Sequence, residues 1–317
     1  MRERIVPADR YEPADDLAVI TCFFNPGGYR NKRENYERFM EPLRAGGLHT
    51  LTVECAFGSD PFELPAGEGV LHVRGGSLMF QKERMLNLAL PYLPPAFTKV
   101  AWLDADVVFE RADWPKAASA ALEEHVVIQP FEECYRLPRG ASAYAGCGER
   151  WLSFAAAYRQ RYPVVTTGRY KDHGHVGFAW AARRSLLETV RLRDVDPNGH
   201  GDHLMAHAML GDWNSVCVRR LVGAVGPYAE STRRWARQFH GEVQGRLGYI
   251  PGALMHLWHG RIADRRYYTL ALHLRAFGFD PDRHLCEHPS GLWAWTEEAA
   301  TMEAEYRRYF ATRREDA

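Results

Sequence analysis

The chain has 317 residues, of which 46% are hydrophobic and 25% are charged, a composition typical of a globular protein with a sizeable core. Lysine plus arginine equals aspartate plus glutamate at 40 each, so the formal net charge is zero and no global field attracts nucleic acid or a membrane surface. Six scattered cysteines without a C-x-x-C pair, a polar N-terminus and the lack of any apolar run near ~20 residues predict a cytoplasmic protein with reduced thiols and no membrane span.

The first hundred residues alternate between short apolar runs and amphipathic segments. Four runs predict strands: LAVITCFF, HTLTVECAF, GVLHVRGG and KVAWLDADVVF. Between the first two, NKRENYERFMEPLRAGG places large apolar residues at i, i+3, i+4 and i+7, which is one face of a helix, and ends in two glycines. QKERMLNLALPYLP predicts a second helix that ends at its prolines.

The later segments continue the alternation. Strands are predicted for VVIQPF, the start of GHVGFAWAARR, SVCVRRLV and ALMHLWHG, and helices for DWPKAASAALEEH, RWLSFAAAYRQRY, GDHLMAHAML, RRYYTLALHLRAFG and the charged C-terminal residues. The segment from Gly226 to Gly252 has many glycines and little periodicity, which predicts a long loop.

Strands that alternate with helices predict an α/β fold, with a doubly wound, mainly parallel sheet flanked by helices. No linker is evident, so residues 1–317 are predicted to form a single domain. Within it we expect a nucleotide-binding half at about 17–110, an acceptor and catalytic half at about 111–268, and C-terminal helices at about 269–317. Ligands of such sheets bind beyond the carboxyl ends of the strands.

Two carboxylates, Asp104 and Asp106, follow the apolar run VAWL at such a position. The two acids stand at the predicted end of the run, where the backbone can turn and bring both to one cation, directly or through water. Mg²⁺ and Mn²⁺ prefer oxygen ligands and often bridge to phosphates. A bare D-x-D pattern is common by chance, but its place after a βαβαβ array favours a metal site.

The order of the motifs resembles that of GT-A-fold glycosyltransferases, metal-dependent enzymes that use nucleotide-sugar donors, in particular the galactosyltransferase-like and family-2-like ones. The resemblance extends from about Leu17 to Tyr268. It is carried by FQKERMLNLAL, WLDADVVF, GHVGFAWAARR, NGHGDHLMAHAM and MHLWHG.

The resemblance implies a metal shell. Asp106 would be the direct ligand and Asp104 a weaker metal contact or a ribose contact. His256 or His259 would supply a nitrogen ligand, which suits Mn²⁺ better than Mg²⁺. Because positions an odd number apart on a strand face opposite ways, only one of the two histidines is expected to bind.

The resemblance also implies that Asp202, in GHGDH, is the general base that takes the proton of the acceptor hydroxyl. A base on the face opposite the leaving group would make the displacement direct and inverting. An acid before a helix is also a good N-cap, which is the structural alternative. Members of the family often have two acids here, whereas this chain has Asp202 followed by His203.

Donor binding is expected to begin in the turn after the first strand, where Phe24, Asn25 and Pro26 would meet the nucleoside; a simple Pro–Gly turn is the alternative. Lys82 and Arg84 would reach the base or the phosphates, with one of the two facing solvent instead.

The segment GHVGFAWAARR supplies the candidate sugar or acceptor contacts His175, Gly177 and Trp180. A tryptophan ring can pack against the apolar face of a sugar, although an ordinary core tryptophan is an equally good interpretation of Trp180.

Two further patterns have weaker implications. The segment Arg233 to Arg246 mixes arginine with tryptophan and phenylalanine, which fits a lid over a diphosphate, a contact with single-stranded nucleic acid, or an ordinary solvated loop. His203 and His207 have the i, i+4 spacing of a zinc pair, but there is no H-E-x-x-H motif and no obvious third ligand, which argues against zinc there.

The sequence therefore predicts a hexosyltransferase-like glycosyltransferase that uses Mn²⁺ or Mg²⁺ and transfers sugar from a nucleotide-sugar, expected to be a UDP-sugar, to a hydroxyl. The acceptor is a glycan, a protein, a small molecule or a hydroxylated DNA base. One alternative is a phosphohydrolase of the haloacid dehalogenase type, although its D-x-D normally lies on the opening strand and here three predicted strands precede Asp104. The other alternative is a catalytically silent nucleotide-sugar-binding module.

Overall fold

A computed structural model describes residues 3–161 and 170–317. Its strands are β1 (Leu17–Phe24), β2 (Thr50–Ala56), β3 (Val70–Arg74), β4 (Lys99–Leu103), β5 (Val107–Phe109), β6 (Val127–Gln129), β7 (Glu133–Arg136), β8 (Glu149–Leu152), β9 (Ala179–Arg183), β10 (Leu247–Tyr249), β11 (Ala253–His256), β12 (Leu285–Glu287) and β13 (Trp293–Trp295). Its α-helices are α1 (Arg30–Gly46), α2 (Lys82–Ala89), α3 (Trp114–Glu124), α4 (Phe154–Arg161), α5 (Tyr170–His173), α6 (Arg184–Thr189), α7 (Gly201–Met209), α8 (Val216–Val222), α9 (Pro227–Val243), α10 (Ile262–Arg265), α11 (Tyr267–Phe277), α12 (Pro281–His284) and α13 (Ala300–Ala311).

The large sheet has seven strands in the order β10–β6–β9–β4–β1–β2–β3. Strand β9 runs antiparallel to both of its neighbours, and the other neighbouring strands are parallel. Parallel strands covered on both faces are apolar along their length, and all five residues of β4 are accordingly buried. The predicted α/β fold with a mixed, mainly parallel sheet flanked by helices is confirmed.

Helices cover both faces of this sheet because neighbouring residues of a strand point to opposite sides. On β1, Val19 belongs to the core that contains Phe39 of α1, whereas Ile20 belongs to the core that contains Met85 of α2. The helical face predicted for α1 is therefore the buried one.

The D-x-D segment connects two sheets. The sequence predicts one strand through KVAWLDADVVF, but β4 ends at Leu103 and β5 begins at Val107. Strand β5 pairs with β11 in a second sheet, of order β5–β11–β7–β8. The two acids thus lie in the connection where the chain leaves the large sheet, which gives the backbone the turn that a shared site requires.

Two later predictions are wrong. SVCVRRLV is not a strand but contributes helix α8, and most of the loop predicted for residues 226–252 is the 17-residue helix α9. Tyr228, Thr232, Ala236, Phe239 and Val243 lie buried along one side of α9, at helical spacings that the glycines and arginines of the segment obscure. The arginine–tryptophan segment is therefore part of a packed helix and not a lid loop.

The end of the chain also differs in part from the prediction. Helix α13 is the expected charged helix, but strands β12 and β13 form an additional antiparallel pair between the C-terminal helices. The predicted helix RWLSFAAAYRQRY is divided between β8 and α4, and its last residue, Tyr162, lies outside the described residues. Among the helices described, none has the length and apolar character needed to cross a bilayer.

Candidate active site

A cleft of about 520 Å³ opens beyond the carboxyl ends of β1 and β4, where ligands bind in open α/β sheets. Charged side chains of both signs line it. The basic ones are Lys32, Lys82, Arg136, Arg265 and Arg313, and the acidic ones are Glu83, Asp104, Asp106, Glu149 and Asp202. The basic side chains give the cleft positive groups of the kind that bind a diphosphate.

Asp106, His256 and His259 form a candidate metal centre in this cleft. One ligand atom from each side chain lies within 4.8 Å of the other two. The carboxylate is 3.7 Å from Nε2 of His256 and 3.2 Å from Nε2 of His259. Both histidines face Asp106, contrary to the expectation that only one would, because β11 ends at His256 and strand alternation no longer applies at His259.

The donor set fits a divalent cation. Oδ1 of Asp106 is buried and has no hydrogen-bond partner. Burial, and then the nearby Asp104 carboxylate, raise the pKa of Asp106 to about 7. Burial also lowers the pKa of both histidines, so their imidazoles are neutral and able to coordinate. One carboxylate with two imidazoles suits Mn²⁺ better than Mg²⁺.

Asp104 is held apart from that cluster. One of its oxygens is 3.0 Å from Nζ of Lys82, and the other accepts a hydrogen bond from the backbone N–H of Phe178 at 3.3 Å. Its own N–H donates to the carbonyl of Phe178 at 2.7 Å. The structure therefore places Asp104 as a fixed neighbour of the metal centre and not within its three-residue ligand cluster.

Lys82 connects Asp104 to Asp202, the predicted base. Its ammonium lies 2.5 Å from Oδ2 of Asp202. Asp202 is in the first turn of α7, and His200 is the N-cap residue, so the capping alternative is not what the structure shows. The pKa of Asp202 is raised overall. Burial is the largest cause, the ammonium of Lys82 lowers the pKa, and the nearby Asp104 carboxylate raises it. A half-buried carboxylate whose pKa lies above the ordinary value is a suitable proton acceptor.

Gly177, one of the predicted sugar contacts, makes room for this carboxylate. A Cβ atom at position 177 would lie 2.9 Å from Oδ2 of Asp202. His175 lies in the cleft as well, and its ring stacks on Phe178 with 3.6 Å between ring centroids. Burial holds the pKa of His175 well below its usual value, so it is a neutral hydrogen-bonding group.

Phe178 was not singled out in the sequence, although it organises the site. Its ring lies between His175 and His256, with 4.5 Å between the centroids of Phe178 and His256. Its φ of 79° is in the region that favours glycine. Backbone strain of this kind concentrates at functional sites, but no sequence pattern marks a phenylalanine that adopts it.

Glu83 is a second residue that sequence reasoning missed. Its buried carboxyl packs against the start of α7, where a Cβ at Gly201 would lie 2.3 Å from Oε1. Burial raises the pKa of Glu83 to about 8. The group is therefore largely protonated at neutral pH. The only signal in the sequence is its position beside Lys82.

The predicted donor contacts divide into two groups. Phe24 and Lys82 line the cleft, whereas Asn25, Pro26 and Arg84 are not among its lining residues. Asn25 closes its own turn, since its amide donates to the carbonyl of Tyr29 at 3.0 Å.

Arg84 is directed away from the cleft. Residues two apart on a helix lie on different faces. The guanidinium pairs with Asp194 at 3.2 Å and with Glu287 at 2.9 Å, and it stacks over Trp293. The expectation that it reaches the donor is corrected: it joins α2 to the C-terminal strands.

Trp180 is a core residue and not a sugar platform. It is 1% exposed, its Nε1 donates to the carbonyl of Val176 at 2.8 Å, and it stacks on Trp102 of the neighbouring strand. Strand alternation directs its side chain into the core on the face of the sheet that α2 covers, and it does not line the cleft.

Replacing Trp180 with alanine is expected to lower the free energy of unfolding by about 3–5 kcal/mol, because a large apolar side chain is removed from a packed core. Urea denaturation followed by circular dichroism measures the change. Tyr92→Ala is the control, because that ring is 64% exposed and its loss should cost less than about 0.5 kcal/mol. A stability loss for Trp180→Ala no larger than the control's would contradict the core assignment.

No protein-family model matches the chain, and no curated protein matches its sequence. Among solved structures, mannosyl-3-phosphoglycerate synthase from Rubrobacter xylanophilus is 14% identical over 89% of this chain and 85% of its own, with a TM-score of 0.37. A glycosyltransferase involved in glycosylation of the major capsid of PBCV-1 is 13% identical over 82% of this chain and 98% of its own, with a TM-score of 0.34.

A variant of Drosophila β-1,4-galactosyltransferase 7, in complex with manganese, UDP-Gal and xylobiose, is 11% identical, with a TM-score of 0.27. The match covers 56% of this chain and 52% of that one, so this chain spans about half the length of the galactosyltransferase. The similarities are distant, and a functional proposal therefore depends on the geometry of the cleft.

Proposed function

We propose that this protein is a metal-dependent glycosyltransferase that moves a sugar from a UDP-sugar to an acceptor hydroxyl. One observation carries the proposal: a single cleft contains a candidate Asp–His–His cation site, several basic side chains and a half-buried acid, Asp202, held by Lys82. A leaving diphosphate needs the first two features, and an acceptor hydroxyl needs the third. The choice of UDP comes from the motif resemblance.

The end of the cleft at Asp106 would hold the diphosphate. When bound there, a divalent cation supplies Lewis-acid stabilisation of the charge that develops on the leaving group. Asp106, His256 and His259 would hold it. Lys32 and Arg265 lie close enough to lower the pKa of Asp106, so they also place positive charge beside the diphosphate.

Asp202 would act at the acceptor. As the acceptor oxygen forms its bond to the anomeric carbon, its proton passes to a carboxylate oxygen of Asp202. The bond from that carbon to the diphosphate oxygen breaks, and its electron pair leaves with the nucleotide. Lys82 holds the carboxylate in position, and the missing side chain at Gly177 leaves space beside it. A single displacement of this kind inverts the anomeric carbon.

The proposed acceptor is a molecule with a free hydroxyl group: a glycan, a protein, a small molecule or a hydroxylated DNA base. The arginine–tryptophan segment no longer favours DNA, because Trp235 stacks on Phe239 within α9 and donates to the carbonyl of Arg191. The single-domain organisation and the cytoplasmic location stay predictions.

Neither alternative function gains support from the cleft. A haloacid dehalogenase-type enzyme would use Asp104 as nucleophile and carry it on the opening strand, but here both of its oxygens are engaged, by Lys82 and by the Phe178 N–H, and it follows the fourth strand, β4. A silent binding module would not need a base such as Asp202 in the same cleft as the cation site, and turnover separates it from a transferase.

Isothermal titration of UDP into the metal-free protein, with and without Mn²⁺, tests the proposal. We expect heat of binding with Mn²⁺ and a loss of most of the affinity without it. UMP, which lacks the second phosphate, is the control and should bind weakly under both conditions. UDP binding that is absent, or that does not depend on metal, would contradict the proposal. Hydrolysis of a panel of UDP-sugars in the presence of Mn²⁺ then identifies the sugar.

A further inference from the structure

A second cluster of side chains of metal-ligating types adjoins the cleft, which two of its members, His203 and Cys217, help to line. It consists of His173, His203, His207 and Cys217, and all four side chains are buried. They come from three separate helices: the end of α5, two successive turns of α7, and the first turn of α8. Convergence of three imidazoles and a thiol in a protein interior is unusual, because buried polar groups require partners.

The geometry is compact. One ligand atom from each of the four side chains lies within 4.8 Å of the other three. Sγ of Cys217 is 3.5 Å from Nε2 of His207. A tetrahedral zinc site with bonds of about 2.0–2.3 Å separates its ligand atoms by roughly 3.3–3.7 Å, which this pair already matches. The ring centroids of His203 and His207 are 4.5 Å apart, and those of His173 and His207 are 4.9 Å apart.

The surroundings orient the ligands as they do in metal sites. Nδ1 of His207 is 2.7 Å from Oδ2 of Asp212, which leaves Nε2 directed at Cys217. A carboxylate behind a coordinating histidine is the usual support in zinc sites, because it fixes the tautomer and the ring orientation. Asp212 is itself fixed, since its other oxygen accepts a hydrogen bond from the N–H of Ser215 at 3.0 Å.

We propose that His173, His203, His207 and Cys217 bind one zinc ion in a closed, structural site. Three nitrogens and one sulfur are a typical zinc donor set, and four protein ligands leave no open position for catalysis. No third ligand is evident in the sequence beside the i, i+4 histidine pair of α7, which argued against zinc there. The missing ligands, His173 and Cys217, come from segments that only the fold brings together.

The position of the site suggests what it stabilises. Helix α7 begins with Gly201 and Asp202, one residue before the ligand His203. His173 comes shortly before Gly177 and Phe178, which contact Asp202 and Asp104. A zinc ion at the cluster would therefore connect α7, which carries the proposed base Asp202, to the segment of Gly177 and Phe178 that lines the cleft next to it.

Elemental analysis of the full-length protein tests this proposal. The protein is produced with zinc in the medium, then dialysed against a weak chelator, and its metals are measured by inductively coupled plasma mass spectrometry. We expect about one zinc per chain in the wild type and at least a tenfold lower content in Cys217→Ser. Cys55→Ser is the matched control, a buried cysteine outside the cluster, and should keep its zinc. Asp106→Asn should also keep it, which separates this site from the proposed catalytic one.

A second measurement covers the case in which Cys217→Ser does not fold. Wild-type protein is loaded with Co²⁺ in place of zinc, and its absorption spectrum is recorded. A thiolate-to-cobalt charge-transfer band together with intense tetrahedral ligand-field bands supports the site, and their absence overturns it. Wild type without zinc, or Cys217→Ser with undiminished zinc, also overturns the proposal. These results do not depend on whether the protein transfers sugar.

Discussion

Asp202→Asn is expected to lower the rate of sugar transfer by about 10²–10⁴-fold, which is the usual contribution of a general base. The amide keeps the size of the carboxylate and its contact with Lys82, but it cannot accept the proton of the acceptor hydroxyl. Mn²⁺-dependent binding of UDP should stay close to that of the wild type, because Asp202 is not among the three residues of the cation site. Steady-state kinetics with the best donor, together with calorimetric titration of UDP, measures both effects.

The control for this prediction is Asp282→Asn, the same substitution at a carboxylate that is 73% exposed. It should leave transfer and binding unchanged. If Asp202→Asn transfers sugar at the wild-type rate, Asp202 is not the base. If neither the wild type nor Asp202→Asn turns over the donor, the silent binding module gains support. Equal loss of transfer and of nucleotide binding would indicate a structural role for the Lys82–Asp202 pair.

Asp106→Asn is expected to weaken Mn²⁺-dependent UDP binding by more than about 100-fold, since loss of even a group behind a metal ligand costs 10–100-fold. Without metal, Asp106→Asn should be no less stable to unfolding than the wild type. Burial and the neighbouring Asp104 raise the pKa of Asp106, so its negative charge is unfavourable in the absence of a cation. A neutral amide removes that charge. Calorimetric titration and thermal unfolding, each with and without Mn²⁺, measure the two quantities.

Asp113→Asn is the matched control for this second prediction. That carboxylate follows the D-x-D segment by a few residues, is 47% exposed and pairs with Arg111. We expect it to bind UDP as the wild type does. Unchanged metal-dependent binding in Asp106→Asn would show that the cation lies elsewhere. A large loss of stability in the metal-free variant would instead show that Asp106 is structural.

The two substitutions separate the two halves of the proposed chemistry. Asp106→Asn should remove binding and transfer together, whereas Asp202→Asn should remove transfer alone. The contrast is independent of the identity of the sugar, because it depends only on Asp106 belonging to the candidate cation site and Asp202 lying outside it.

Local patterns in the chain were sufficient for the first strands and helices of the large sheet. The apolar run of β1, the helical spacing of α1 and the alternation of strands with helices each follow from side-chain periodicity, which is a property of a short segment. The same is true of Asp104 and Asp106, whose place after an apolar run indicated the edge of the sheet. Helices α8 and α9 were not predicted. Valines in α8 are typical of strands, and glycines and arginines in the segment of α9 obscure its helical periodicity, but tertiary packing makes both segments helical.

The sequence by itself therefore determined the α/β class, the position of the acid pair and the identity of the candidate base Asp202. Only the tertiary structure decided which side chains meet: Lys82 but not Arg84 in the cleft, both His256 and His259 at Asp106, and His173 and Cys217 beside the histidine pair of α7. The physical reason is that periodicity specifies the face on which a residue lies, whereas contact between distant segments depends on how whole elements pack.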